Sequence, residues 1–152
     1  MFTKILVPLD GSEYAESALD TAVKIAHQFN SRLTLIHVSS FSLFLPLRMY
    51  GDEGASLGMD LEESMRVAEV IREAGAEILA KGEQRVAAEG VPVDTVLREG
   101  HVVQEIVKAA QEGRYDLIVM GAKGRSKIQE MLLGSVSEKV VRTAPCTVMI
   151  VK

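Results

Sequence analysis

The chain is short of the residues that often mark a specialised class: one cysteine, no tryptophan and four prolines in 152 residues. A single cysteine, Cys146, allows no internal disulfide, so nothing in the sequence demands an oxidising compartment. It reads as a small buried hydrophobe. No segment approaches the ~20 consecutive apolar residues of a membrane helix. The opening MFTKILVPLDGSE breaks its apolar run at Asp10, too early for the core of a signal peptide. A formal charge of -4 lacks the basic excess that non-specific nucleic-acid binding requires. His27, His37 and His101 show no metal-ligand spacing with Cys146. There is neither a G-x-x-x-x-G-K-S/T loop nor a G-x-G-x-x-G after the first apolar run, which argues against a P-loop NTPase and a Rossmann dehydrogenase. What remains is an ordinary soluble composition, 47% hydrophobic and 25% charged, about one domain (~150 residues) long, with the cytoplasm as default location.

Apolar patterning then predicts strands alternating with helices. Lys4 to Leu9 is a short apolar run, and Asp10-Gly11-Ser12 forms a turn and helix start. Ala15, Ala18, Leu19, Ala22, Ile25 and Ala26 recur at helical spacing. Arg32 to Val38 is a second strand. Residues 40 to 60 interrupt the rhythm with apolar residues, Pro46 and glycines, a loop insertion of the kind that covers a ligand or partner or packs on the adjacent helix. A long helix runs from Leu61 to about Glu89, with Leu61, Met65, Ala68, Ile71, Ile78 and Leu79 on its apolar face and possible kinks at Gly75 and Gly82. Strand three is Val93 to Arg98, the next helix Val102 to Glu112, strand four Leu117 to Met120, a last helix Ser135 to Arg142, and strand five Cys146 to Val151. Such alternation means right-handed crossovers and a parallel sheet with helices on both faces. Strands one, four and five are nearly all apolar, as fully buried strands are. Ligands of open parallel sheets bind at the carboxyl ends of the strands. Those ends are Asp10-Gly11, Val38-Ser39, Gly100 and Gly121 onward.

The stretch GAKGRSKIQEMLLGS, residues 121 to 135, stands at one of those ends. Glycine can take φ > 0 and lets a ligand approach the backbone. Successive N–H groups in such a turn hold anions. Gly134-Ser135 opens the last helix, whose N-terminus adds unpaired N–H donors and partial positive charge. With Lys123 and Arg125 the segment suits a polyphosphate. Each feature alone has a plainer explanation. Ser135 to Glu138 spells a capping box, and loop cations are commonly just solvated. His37 reads as a packed, hydrogen-bonded residue, and His101 as a cap for the helix after strand three.

The same stretch fits G-x2-G-x9-G-S/T, and in this it resembles the ATP-binding class of the universal stress protein family. KILVPLDGSEYAESAL, LTLIHV, REGHVVQEIVKAA, YDLIVMGAKGRS and LLGSVSEKVVRTAPCTVMIV carry the resemblance along the whole chain, leaving only 40 to 60 unmatched. The resemblance implies a single domain over 1–152, Rossmann-like and adenine nucleotide alpha hydrolase-like, with strand order 3-2-1-4-5. It further implies that Pro8, Leu9 and Asp10 line an adenosine pocket and that Val38 meets adenine through its main chain. Met120 and Gly121 would lie along the ribose and first phosphate, followed by Gly124 and Arg125. Gly134, Ser135, Val136 and Ser137 would bind phosphates. A phosphate role for Lys123 is read from its charge. ATP is the expected ligand, with Mg²⁺ held mainly by the phosphates, in a homodimer paired through Thr147 to Val151.

Three functions follow from these readings. The first is an ATP-binding regulatory or sensor protein of the stress response, acting on an unidentified protein partner. The second is a slow ATPase or self-phosphorylating enzyme, with Asp10 orienting a group or Mg²⁺ and Ser135 or Ser137 accepting phosphate. The third keeps the fold and changes the ligand. A flavin carrier is poorly served by 5% aromatics, and a phosphorylated receiver domain by Asp10 alone at the end of strand one.

Overall fold

The structure, a computed structural model, describes residues 1–40, 61–125 and 133–152. The 40–60 insertion, apart from Ser40, and residues 126–132 of the glycine-rich stretch lie outside the described residues. In chain order the elements are β1 (Lys4–Pro8), α1 (Glu13–Phe29), β2 (Arg32–Ser39), α2 (Leu61–Ala88), β3 (Val93–Glu99), α3 (Val102–Glu112), β4 (Leu117–Gly121), α4 (Ser135–Thr143) and β5 (Thr147–Val151). Every strand pair is parallel, and the order is β3-β2-β1-β4-β5, as expected. The chain therefore reverses direction across the sheet at β1 and β4. At that reversal the two outgoing loops diverge and leave a crevice.

The period-two alternation of the strands divides the core into two layers. Ile5, Val7, Leu33, Leu35, Leu117 and Val119 pack with α1 and α2. Leu6, Ile36, Ile118 and Met120 pack with α3 and α4. Ser12 caps α1, its Oγ accepting from the Ala15 N–H at 3.2 Å, and Gly11 turns the chain into the helix at φ +79°. Among the described residues, no helix is long and apolar enough to cross a membrane.

Three expectations about these elements need correction. The inner face of α2 is Gly75, Leu79, Gly82 and Val86; Leu61 and Met65 are 78% and 65% exposed. The cause is length. At 28 residues α2 is about 42 Å long, whereas the eight-residue β2 spans about 26 Å, so the first turns of α2 outrun the sheet. Secondly, Gly75 and Gly82 lie inside one uninterrupted helix and serve close packing. A Cβ at Gly82 would stand 2.9 Å from both Leu9 Cδ1 and Leu35 Cδ1, and one at Gly75 only 2.5 Å from His37 Cδ2. Thirdly, β5, at the sheet edge as the expected order requires, is not fully buried. Its apolar residues Val148 to Val151 are half-buried, unlike the fully buried Ile5 to Val7 and Leu117 to Val119.

Candidate functional site

A cavity of about 310 Å³ opens at the carboxyl edge of the sheet where the loops diverge. It is large enough for a small-molecule ligand, whose sites begin near ~300 Å³. The end of β1 and the turn after it contribute Pro8, Leu9 and Asp10, and β2 contributes Val38. β4 and the turn after it contribute Met120, Gly121, Lys123, Gly124 and Arg125. The start of α4 contributes Gly134, Ser135, Val136 and Ser137. All thirteen residues singled out from sequence thus face one space. Gly100 does not line it. Sequence reading missed Ala15, Ile36 and the α3 residues Val102 and Ile106, and set His37 aside; all five line the wall. The helical spacing of Val102 and Ile106 was the available signal.

The two ends of the cavity differ in chemistry. One is apolar: Ile36, Val38, Val102, Ile106, Met120 and Val136 belong to the upper end of the α3–α4 core layer. The other collects the glycine turn, Lys123, Arg125 and the N-terminus of α4.

Among the described residues, no side chain caps that N-terminus. Gly134 is the N-cap and supplies no side-chain capping bond. The first intrahelical bond is Glu138 N–H to Gly134 C=O at 3.0 Å. The N–H groups of Ser135, Val136 and Ser137 precede it and have no acceptor within the helix. The capping box expected from sequence is not formed, because Ser135 is the first helical residue and Glu138 pairs with Arg142 at 2.9 Å. The helix is held instead by Ala122, whose carbonyl accepts from Gly134 N–H and Ser137 Oγ, both at 2.7 Å. The Ala122 N–H donates to Val151 C=O at 2.8 Å, so this one residue joins β4, β5 and α4. With its proton directed to Ala122 and only 2% exposed, Ser137 is badly placed to accept a phosphoryl group. Ser135 is exposed.

Asp10 is the one carboxylate lining the cavity among the described residues. Its Oδ1 accepts from Ser12 N–H at 2.9 Å, while Oδ2 lies under Gly124. The Arg125 guanidinium lies over Gly11, where a Cβ would be 2.7 Å from Nη2. Arg125 makes no ion pair among the described residues. His101 is the α3 N-cap through its backbone alone, with no side-chain capping bond, contrary to expectation. Burial pushes the half-buried Cys146 thiol up, with the Asp116 charge adding to it, which keeps the thiol in its protonated form.

At the apolar end the main chain of β2 is unpaired on one side. Arg32 N–H bonds Thr3 C=O and Leu9 N–H bonds Ile36 C=O, so even-numbered residues of β2 face β1. Leu33 N–H to Pro92 C=O and Gly100 N–H to Ser39 C=O place the odd-numbered ones on β3. The ladder with β1 ends at Pro8 opposite Ile36. Val38 therefore points its N–H and C=O past the end of β1 into the cavity, with no partner among the described residues.

The three glycines of the sequence pattern play different parts, and none of them uses the positive φ open to glycine. A Cβ on Gly121 would stand 2.7 Å from the main-chain carbon of Tyr14, so this glycine lets β4 meet the first turn of α1. At Gly134 the nearest atoms are 3.4 Å away, and φ is an ordinary -71°. Gly121→Ala should therefore destabilise the fold by about 1–3 kcal/mol through overpacking against fixed backbone. Gly134→Ala should cost well under that, apart from the roughly 1 kcal/mol or less lost at an N-cap. Urea unfolding of the two variants beside the parent checks the ranking.

The comparisons agree with this architecture. The universal stress protein family model matches residues 1–152. A universal stress protein of Methanocaldococcus jannaschii is 34% identical over 153 residues, covering 100% of this chain and 83% of that protein. UspA from Lactobacillus plantarum, a solved universal stress protein, shares the fold with a TM-score of 0.77 and 27% identity, over 99% of this chain and 98% of its own. A universal stress protein solved in complex with cAMP gives a TM-score of 0.70 and 26% identity, over 99% and 97% of the two chains. In fold, in strand order and along its whole length, this chain belongs to the universal stress protein family.

Proposed function

We propose that the cavity binds ATP and that the protein is a homodimeric regulatory module whose partner surface responds to the nucleotide. The observation that carries this reading is the two-ended character of one cavity. At the apolar end, the Val38 N–H and C=O offer a donor and an acceptor side by side, complementary to the N1 acceptor and N6 amino donor of adenine. Apolar side chains there sandwich a flat ring without charge. At the other end, three N–H groups of α4, the glycine turn, Lys123 and Arg125 suit the phosphates. Between them, the second oxygen of Asp10 can accept from a ribose hydroxyl.

The cAMP complex of a family member 26% identical supports adenine-nucleotide chemistry in this fold. No group of three or more His, Cys, Asp or Glu stands together among the described residues, and Asp10 is the one carboxylate facing the cavity among them. Mg²⁺ would therefore be held chiefly by phosphate oxygens, where it neutralises their charge. The binding reading is preferred to hydrolysis or self-phosphorylation because the Ser137 proton is committed to Ala122 and one oxygen of Asp10 to Ser12.

Dimerisation through β5 has its own support. Val148 to Val151 form a half-buried apolar strand at the sheet edge, and exposed edges of this kind are stabilised by pairing. Because the Val151 carbonyl bonds Ala122, odd-numbered residues of β5 face β4 and even-numbered ones the open edge.

Two results are expected. Ser135→Glu introduces a negative charge where the α-helix dipole tolerates it, so the fold is kept while phosphate is repelled. Calorimetric titration should show ATP–Mg²⁺ affinity falling by about tenfold or more, with adenosine affinity unchanged. Equal loss for both ligands would place the phosphates elsewhere. Val148→Pro removes an N–H from the open edge and leaves the β4 ladder intact. Sedimentation velocity should then report a folded monomer where the parent is a dimer at micromolar concentration; a monomeric parent would count against the dimer.

A further inference from the structure

His37 lines the cavity, and its ring bonds the main chain of the turn after β1. Its Nδ1 lies 2.7 Å from the Leu9 carbonyl oxygen. That oxygen can only accept, so Nδ1 carries the proton. The bond matters because of where it falls in the ladder. In a parallel pair, the rung after Leu9 N–H to Ile36 C=O would be Val38 N–H to Leu9 C=O. That rung is absent: β1 ends at Pro8, and Leu9 turns its carbonyl to the imidazole instead. The ring is held there from the other side by Gly75 of α2, where a Cβ would meet His37 Cδ2 at 2.5 Å and Nε2 at 3.1 Å.

We infer that His37 is a positioning residue for the base: by drawing the Leu9 carbonyl out of the ladder direction toward its ring, it ends the β1–β2 ladder one rung early and keeps the Val38 N–H free for a ligand. Gly75 belongs to the same device, since a larger residue would displace the ring. The inference rests on the reading of the cavity as a nucleotide site. Its structural half, the state of the Val38 amide, stands independently of that reading.

The test compares the full chain with His37→Leu and His37→Asn. Asparagine places its Nδ2 where the imidazole Nδ1 stands and can donate to Leu9; leucine, similar in size, cannot. Amide hydrogen exchange followed by NMR in ligand-free protein should show Val38 unprotected in the parent and in His37→Asn. In His37→Leu the carbonyl, no longer drawn aside, turns back into the ladder and takes the Val38 N–H, and the amide slows by about tenfold or more. ATP–Mg²⁺ affinity should fall by about tenfold in His37→Leu and be restored in His37→Asn, while inorganic triphosphate binds all three alike. A Val38 amide already protected in the ligand-free parent overturns the inference and needs no variant to do so. So does a His37→Leu protein that binds ATP as the parent does. A parent that binds no ATP overturns the nucleotide reading, and the Val38 exchange rates then decide the role of His37 alone.

Discussion

The Ala122 carbonyl is the joint on which the candidate site depends. It accepts two hydrogen bonds from α4, one from the Gly134 main chain and one from the Ser137 hydroxyl. Thus it holds the start of that helix against the end of β4. A carbonyl with two lone pairs is fully used in this way. A side-chain cap at α4 would have satisfied the same helix by covering its free N–H groups. Anchoring the helix from below, through Ser137, leaves those groups uncovered by any described residue. The polar end of the cavity is a consequence of that choice.

The apolar end has an analogous origin. A strand pair that ran to its full length would close the crevice with main-chain hydrogen bonds. Here β2 runs on to Ser39 after β1 has stopped at Pro8, and the surplus length exposes a donor and an acceptor at Val38. Glycine makes the surrounding walls possible by removing side chains where elements cross. Gly82 admits Leu9 and Leu35, Gly75 admits His37, and Gly121 admits Tyr14. Among the described residues, the fold thereby brings an unfilled ladder and a helix start without a side-chain cap to opposite ends of a single space.

Much of this was legible in the sequence. Short runs such as LIVM and KILVPL, broken by Asp10-Gly11-Ser12 and by glycine, gave the strands and their order of appearance, because buried parallel strands need continuous apolar residues. The spacing of Gly121, Gly124, Gly134 and Ser135 located the cavity's polar wall. The role of each glycine was not legible. A glycine needed for φ > 0 and one needed for close approach are the same letter, and only the position of Tyr14 separates them at Gly121. The Ser135–Glu138 capping box misled for a related reason. Whether a serine caps or enters the helix depends on which residue takes the non-helical conformation, and the Ala122 anchor assigns that to Gly134. The exposed Leu61 and Met65 follow helical periodicity correctly, but periodicity says nothing of where the sheet beneath a helix ends. His37 was read correctly as hydrogen-bonded, while its partner, 28 positions away, could be found only in three dimensions.

The central claim is that one nucleotide spans both ends of the cavity, base at Val38 and phosphates at the start of α4. Titrating isotope-labelled protein with ATP and Mg²⁺ and following backbone amides by NMR tests it most directly. The account predicts that the amides of Val38 and of Ser135 to Ser137 shift together along one binding curve, and that adenosine moves Val38 while leaving the α4 amides nearly still. Shifts confined to one end, or amides at both ends that ignore ATP, would contradict it.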